Sequence, residues 1–293
     1  MPETRSDRCH TGHDTSEHEG DKSVNDYIMG SSRQETRRLD LQSRLYARHT
    51  KHLLELAGIT AGMTVLDVGC GTGEVTQIVA RLVGPSGRVV GVDADEGMLA
   101  VAARNMADAR LDNVSFQQAT LPDIPLTRPV DALVGRLILM HLDDPVDAVR
   151  TMARHVRPGG IVTFQDFNVT RSRTVPTVPL MDDVVAWIVD AIRRGGRNSD
   201  PGDRLYAILR DAGLPTPRVA MTAPAGDADS EVAAHATATL ATVLPLVEKT
   251  RATMIEEMGI DSLLDRLRED MRKAGSVMFS PELVGAWTRT PGF

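Results

Sequence analysis

The chain has 293 residues, 42% of them hydrophobic and 25% charged, with a net charge of -7. That length suits one large α/β domain with insertions or two small domains, and the composition is that of a soluble globular protein. An acidic balance with only 3% aromatic residues supplies neither a positive field for a phosphate backbone nor platforms for stacking bases, which argues against a nucleic-acid partner. No run approaches the roughly 18 apolar residues of a membrane span. The N-terminus carries no apolar core of a secretory signal, and Cys9 and Cys70 are no disulfide framework. A cytoplasmic protein with no membrane partner is therefore expected.

Residues 1–23 are almost wholly polar and read as a disordered tail. Within it Cys9, His10, His13 and His18 read as part of that tail, because nothing around them fixes a coordination geometry, and no metal site is expected. Residues 24–58 read as an N-terminal helical cap. Order begins near Tyr27, Ser32 and Glu35 have capping-box spacing, and a helix runs through Leu41, Leu45, Leu53 and Leu56 to Gly58.

From residue 59 to 167 short apolar runs alternate with helical ones. Strands are expected at Met63–Val68, Arg88–Val92, Val114–Gln117, Val130–Val134 and Ile161–Asp166, and helices at Glu74–Val83, Gly97–Ala109 and Pro145–Val156. Such alternation implies parallel pairing with helices on both faces of the sheet. After Asp166 the alternation stops, and 168–181 reads as a loop. Helices follow around Val184–Ile192, Leu205–Ala212, Val232–Val247 and Ile260–Met271, with a strand at 218–223 and strand-like composition over Val277–Thr288. Residues 24–293 thus read as a single domain, with 168–275 as lid insertions plus a sixth strand and 276–293 as the last strand.

The chemistry concentrates in VLDVGCGTG at 65–73, where a buried strand ends in a glycine-rich turn that opens a helix. Glycines at 69, 71 and 73 let backbone approach a ligand where a Cβ would collide. Nicotinamide enzymes use such a turn too, but with G-x-G-x-x-G spacing. Here the spacing is G-x-G-x-G, and Asp67 suits a zwitterionic, cationic ligand better than a phosphate, which it would repel. Asp93, twenty residues past Gly73, ends the second strand where a carboxylate can accept from both hydroxyls of a ribose.

VLDVGCGTG, VVGVDADEGML, NVSFQQATLPD, DALVGRLILMHLDDP and VRPGGIVTFQDF, in that order, resemble the class I S-adenosylmethionine-dependent methyltransferases. The likeness spans about 60–167 and lies nearest the quinone and natural-product branch. It implies a doubly wound α/β fold with a seven-stranded, mainly parallel sheet and S-adenosylmethionine as cofactor. By that resemblance Asp67, Gly69, Cys70 and Gly71 line the methionine end, Asp93 binds the ribose, and Ala94, Met98, Ala119 and Thr120 surround the adenine. Thr120 stands where the family often has an Asp. Gly135 and Arg136 would sit over the sulfonium, while Tyr27, Arg38 and Gln42 close over the cofactor, Arg38 on its carboxylate. An amphipathic helix with solvated charges is the competing reading of those last three.

Methyl transfer asks the enzyme to align a nucleophile, exclude water and sometimes remove a proton. His141 and Asp166 lie at the carboxyl edge of the sheet, where doubly wound folds place ligands, and are the catalytic candidates. His141 alternatively packs the turn before Asp143, and Asp166 alternatively pairs with Arg171 or Arg173. Arg193, Arg194 and Arg197 read as a solvated turn. The expected function is methyl transfer to O, N or C of a small organic acceptor, a secondary metabolite or quinone-like molecule, with a homodimer left open. The rival readings are an S-adenosylmethionine binder that transfers nothing and a nicotinamide oxidoreductase.

Overall fold

The computed structural model describes residues 33–246, Thr253 and 259–292. The 1–23 tail, Tyr27 and the Ser32 end of the capping box lie outside the described residues. Helix α1 (Arg33–Ala57) leads, followed by β1 (Thr64–Val68), α2 (Glu74–Val83), β2 (Arg88–Asp93), α3 (Glu96–Asp108), β3 (Val114–Gln118) and β4 (Val130–Arg136). Then come α4 (Pro145–Met152), β5 (Val156–Asn168), β6 (Arg173–Val175), α5 (Pro179–Arg194), α6 (Leu205–Asp211) and β7 (Arg218–Thr222). The chain closes with β8 (Ala225–Gly226), α7 (Glu231–Val243), α8 (Ile260–Ala274), β9 (Val277–Phe279) and β10 (Glu282–Arg289).

Seven strands form one sheet in the order β3-β2-β1-β4-β5-β10-β7. Neighbours pair in parallel except β10, which is antiparallel to both β5 and β7. The inner strands read as continuous apolar runs because both faces are covered. On one face Leu66, Leu133, Val162 and Phe164 pack with Val149 and Met152 of α4 and Leu205 and Leu209 of α6. On the other, Val65, Val134 and Ile161 meet Val75, Val79 and Val83 of α2 and Leu54 and Ala57 of α1. Helix starts are set by local chemistry. The Asp95 side chain accepts the Met98 N–H at the head of α3, and Asp144 accepts that of Asp147 at the head of α4, where Pro145 has no N–H to leave unpaired.

Helices α5, α7 and α8 build a separate apolar core from Met181, Val184, Ile188, Val232, Leu240, Leu267 and Met271. The middle of α1 packs along α7, where Arg44 pairs with Glu231 and Tyr46 meets His235, so α1 spans from the sheet to this lid.

Four boundaries depart from the sequence expectation. The fourth helix ends at Met152, because Ala153–His155 tightens into a 3₁₀ turn and β5 already begins at Val156. Its early part was hidden by Pro158-Gly159-Gly160, where the register with β4 shifts. The expected loop 168–181 contains β6 and the first turn of α5, started by Pro179. Val277–Thr288 is two strands, β9 joining a three-stranded sheet of order β6-β9-β8 while β10 enters the large one.

Candidate active site

β1 delivers the chain into the glycine turn, where Gly69, Gly71 and Gly73 take φ of +65°, +52° and +85°. L side chains avoid that region, which explains the residue type. A Cβ on Gly69 would overlap Ile138 and one on Gly73 would press on Ala102, but one on Gly71 would meet nothing within 4 Å. Gly71 therefore faces open space and is where a ligand can approach the backbone. The Asp93 carboxylate closes the turn: Oδ2 accepts the Gly71 N–H at 2.8 Å and Oδ1 the Asp95 N–H at 3.0 Å.

Two members of the turn point away from that space. Asp67 is 1% exposed, and its Oδ2 accepts the Thr76 hydroxyl at 2.6 Å. Burial pushes its carboxyl up to about 7, against the opposing pulls of the Thr76 bond and the Arg136 charge. It ties the end of β1 to the first turn of α2. Cys70 is buried with its sulfur toward Gly91, and burial, with Asp67 and Asp93 nearby, pushes its thiol far up. Only its backbone belongs to the turn's open side.

Beyond Asp93, Ala94 and Thr120 are exposed and Met98 and Ala119 half-buried, together flanking the carboxyl ends of β2 and β3. The Ala119 N–H donates to the Asp93 carbonyl at 3.0 Å, and Gln118 Nε2 donates to the Ala94 carbonyl at 2.9 Å. Gln118 escapes a sequence reading because its partner, Ala94, lies just past the end of the neighbouring strand β2.

At the end of β4, Gly135 is buried beneath Phe164 and Ile138. Leu137 takes φ +58°, a conformation costing an L residue roughly 1–2 kcal/mol. Arg136 is held by α1 and by the head of α2, just past Gly73. Its Nη2 donates to Glu74 at 2.6 Å and its Nη1 to the Thr50 hydroxyl at 3.0 Å, with 7% of the side chain exposed. This chain of bonds ties α1 to the first residue of α2. Thr50, fully buried, also receives Gln165 Nε2 on its carbonyl at 3.3 Å.

His141 closes a 3₁₀ turn, Leu139–His141, at the carboxyl edge. Burial, then the Arg197 charge, lowers its imidazole below the ordinary value, so it is neutral at pH 7. Arg197 is more than a solvated charge, since its Nη1 donates to the Met140 carbonyl at 2.5 Å. Asp166 is 1% exposed. Its Oδ1 accepts the Phe167 N–H at 2.9 Å, while Oδ2 is buried with no partner among the described residues. Burial pushes it up to about 7, opposed only weakly by the Phe167 bond. Neither arginine proposed to pair with it does so. Arg171 sits 3.8 Å from Asp203, and Arg173 lies over the Phe279 ring at 4.5 Å.

Arg38 and Gln42 are each 4% exposed, not solvated, and Arg38 Nη1 donates to Gln42 Oε1 at 2.7 Å. They stand 12 and 8 residues before Thr50 on α1, roughly 18 and 12 Å along its axis at 1.5 Å per residue.

Residues 59–213 match the model of a methyltransferase domain. The chain belongs to the methyltransferase family. It is an S-adenosylmethionine-dependent enzyme, which sets aside the nicotinamide reading. It is 31% identical over 185 residues to the ubiquinone/menaquinone biosynthesis C-methyltransferase of Hahella chejuensis, covering 58% of this chain and 73% of that protein. Against the same-named protein of Pseudomonas paraeruginosa it is 36% identical over 127 residues, 43% of this chain, and spans about half of the relative, 48%. The fold is shared with the YcgJ protein of Bacillus subtilis at TM-score 0.54 and 19% identity, covering 84% of this chain and 100% of that one. It is shared also with the cyclase SpnF at TM-score 0.50 and 20% identity, covering 84% of this chain and 81% of that one.

Proposed function

We propose that the methyltransferase acts on O, N or C of a small organic acceptor, a quinone-like or natural-product molecule, enclosed between the carboxyl edge of the sheet and the lid. The observation that carries this is that two buried oxygens near the end of β5, Gln165 Oε1 and, on the other face of the strand, Asp166 Oδ2, lack hydrogen-bond partners among the described residues. Native proteins rarely leave such atoms unpaired, so they are where a ligand or water completes the set. The quinone C-methyltransferases that this chain resembles support an acceptor of that size and kind. The buried free thiol of Cys70 accords with a reducing compartment, and the proposal keeps the cytoplasm.

The residues present fit the cofactor. Gly71 leaves open space beside its backbone, and each Asp93 oxygen spends one lone pair on the turn and keeps another for a ribose hydroxyl. Ala94, Met98, Ala119 and Thr120 offer the flanks for an adenine. Bound there, the cofactor supplies a methyl group already activated on a sulfonium. The chain's own work is to orient the acceptor, keep water out with α1, α5, α7 and α8, and accept a proton where the acceptor needs to lose one. Asp166 Oδ2, with an affinity for protons near neutrality, is the proposed acceptor of that proton, and the neutral imidazole of His141 is the second candidate.

Incubation with methyl-labelled S-adenosylmethionine and a panel of phenols, quinols and amines tests the reading. Label should pass to a small acceptor; turnover that demanded tRNA or a protein would overturn it. The SpnF cyclase shares this fold, which gives a second reading, a chain that binds the cofactor and transfers nothing. That reading gains if cofactor binds tightly yet no panel member is ever labelled.

A further inference from the structure

A second polar cluster lies under the lid, apart from the glycine turn. It joins Arg38, Gln42 and Tyr46 of α1 to His235 of α7, all at most 4% exposed. Tyr46 meets His235 edge-on with ring centroids 5.9 Å apart, and its hydroxyl donates to the Pro281 carbonyl at 2.8 Å. His235 Nε2 is buried with no hydrogen-bond partner among the described residues. Burial first, and the Arg38 charge second, push that imidazole down to about 3, so it is neutral at any working pH. A guanidinium only donates, and a neutral imidazole protonated on Nε2 donates there as well. A buried ring nitrogen left unpaired is costly unless something completes its bond.

We propose that Arg38 and His235 bind an oxyanion on the acceptor, a carboxylate or an ionised phenol or enol, at an end remote from the atom that takes the methyl group. This rests on the methyl-transfer reading above. Location separates it from the donor. Thr50 connects through Arg136 to Glu74 beside the glycine turn, whereas Arg38 lies roughly 18 Å farther along α1. On the same face of α1, Tyr46 packs against Phe167 of β5 at 4.6 Å and against Leu283 of β10. The cluster therefore stands over β5 and β10, while the turn follows β1. A contact from Arg38 to the cofactor carboxylate gives way to one with the acceptor, and the Tyr46 and Phe167 rings supply an apolar wall beside it.

The test uses the full chain saturated with S-adenosylhomocysteine, with histidines labelled by ¹⁵N and the His235 signal identified by its loss in His235→Gln. Sodium acetate, sodium 4-nitrophenolate and neutral acetamide are titrated separately. A saturable shift of the His235 resonances with an anion, and none with acetamide, is expected. Acetate alone acting assigns a carboxylate, and 4-nitrophenolate alone a phenol or enol. Arg38→Met should weaken the response roughly tenfold or more, the loss of a charge-assisted hydrogen bond, while affinity for S-adenosylhomocysteine holds. Silence with both anions, an equal response to acetamide, or a tenfold loss of S-adenosylhomocysteine affinity in Arg38→Met overturns the proposal; the wild-type titrations need no variant to fold. A wild type that fails to bind S-adenosylhomocysteine overturns instead the reading beneath it, and this one with it.

Discussion

The two ends of the sheet's carboxyl edge are finished differently. Over β1 and β2 the protein supplies the partners itself: Thr76 holds Asp67, and the Gly71 and Asp95 amides hold Asp93. Over β5 and under the lid, Asp166 Oδ2, Gln165 Oε1 and His235 Nε2 have no hydrogen-bond partner among the described residues. A methyl donor common to a whole family can be met by a site assembled in advance from backbone and short side chains. The half proposed to hold the acceptor carries open valences instead, as expected where one member's chemistry departs from another's.

Four substitutions would break or sharpen that contrast. The largest effect is expected at Asp166→Asn, which keeps the shape and removes the proton acceptor. The kcat should fall by roughly 10²–10⁴ with affinity for S-adenosylhomocysteine unchanged, and full kcat at neutral pH would end the assignment. The same variant has a second readout. Asp166 is raised from 3.8 to about 7 in the folded chain. Between those values the folded state holds the proton more tightly than the unfolded one, so this group costs stability progressively as pH rises from about 4 to 7, and fully above. The wild-type Tm should decline across that window relative to Asp166→Asn, and parallel curves would refute the burial of a charge there.

Next in size is Arg136→Met, which strands Glu74 beside the glycine turn. With the arginine side chain 7% and the glutamate 21% exposed, the loss should be about 3 kcal/mol, toward the low end for a broken buried pair, read by chemical denaturation. A change within experimental error would mean α1 is not anchored through this pair. Asp93→Ala follows, where two charge-assisted bonds to ligand and two to the turn disappear. Calorimetry should show S-adenosylmethionine binding weakened at least roughly a hundredfold, with thermal stability falling much less. Equal affinity would displace the ribose from Asp93. The smallest effect belongs to Thr120→Asp, which puts a carboxylate at the exposed flank of β3 and should tighten cofactor binding by no more than about 1 kcal/mol. Weaker binding there would show that the adenine lies elsewhere.

The donor half was the legible half. Its inner strands β1 and β4 are buried on both faces, so they appear as apolar runs, and α3 and α4 begin at Asp95 and Asp144, residue types that cap. Glycines and carboxylates in the turn also announce themselves, because few other reasons place them after a buried strand. What the residues do not disclose is direction. Cys70 and Asp67 sit inside the expected site in sequence, yet the positive-φ turn aims one side chain beneath it and burial fixes the other below.

The acceptor half was legible only as a set of helices. Thr50 with Arg136 and Gln165 with Thr50 are contacts 86 and 115 residues apart; no local pattern marks them, since each depends on where α1 lands. His235 falls in an alanine-rich helical stretch where nothing singles it out until α1 packs on α7. The strand errors have local causes: a Pro-Gly-Gly bulge interrupts β5 near its start, and Ser280-Pro281 cuts an apparently continuous strand in two.

β10 lies between β5 and β7 although it is the last strand in the chain. During synthesis β5 leaves the ribosome before three lid helices and β10, so for that interval it presents a bare row of amides and carbonyls to whatever meets it. An unpaired edge of that kind is a template for aggregation. The stretch 59–213 that carries the family likeness contains β5 but neither β10 nor α1. Expressed alone it would keep that edge open permanently, so the recognisable half of the enzyme is not the half that can be cut out.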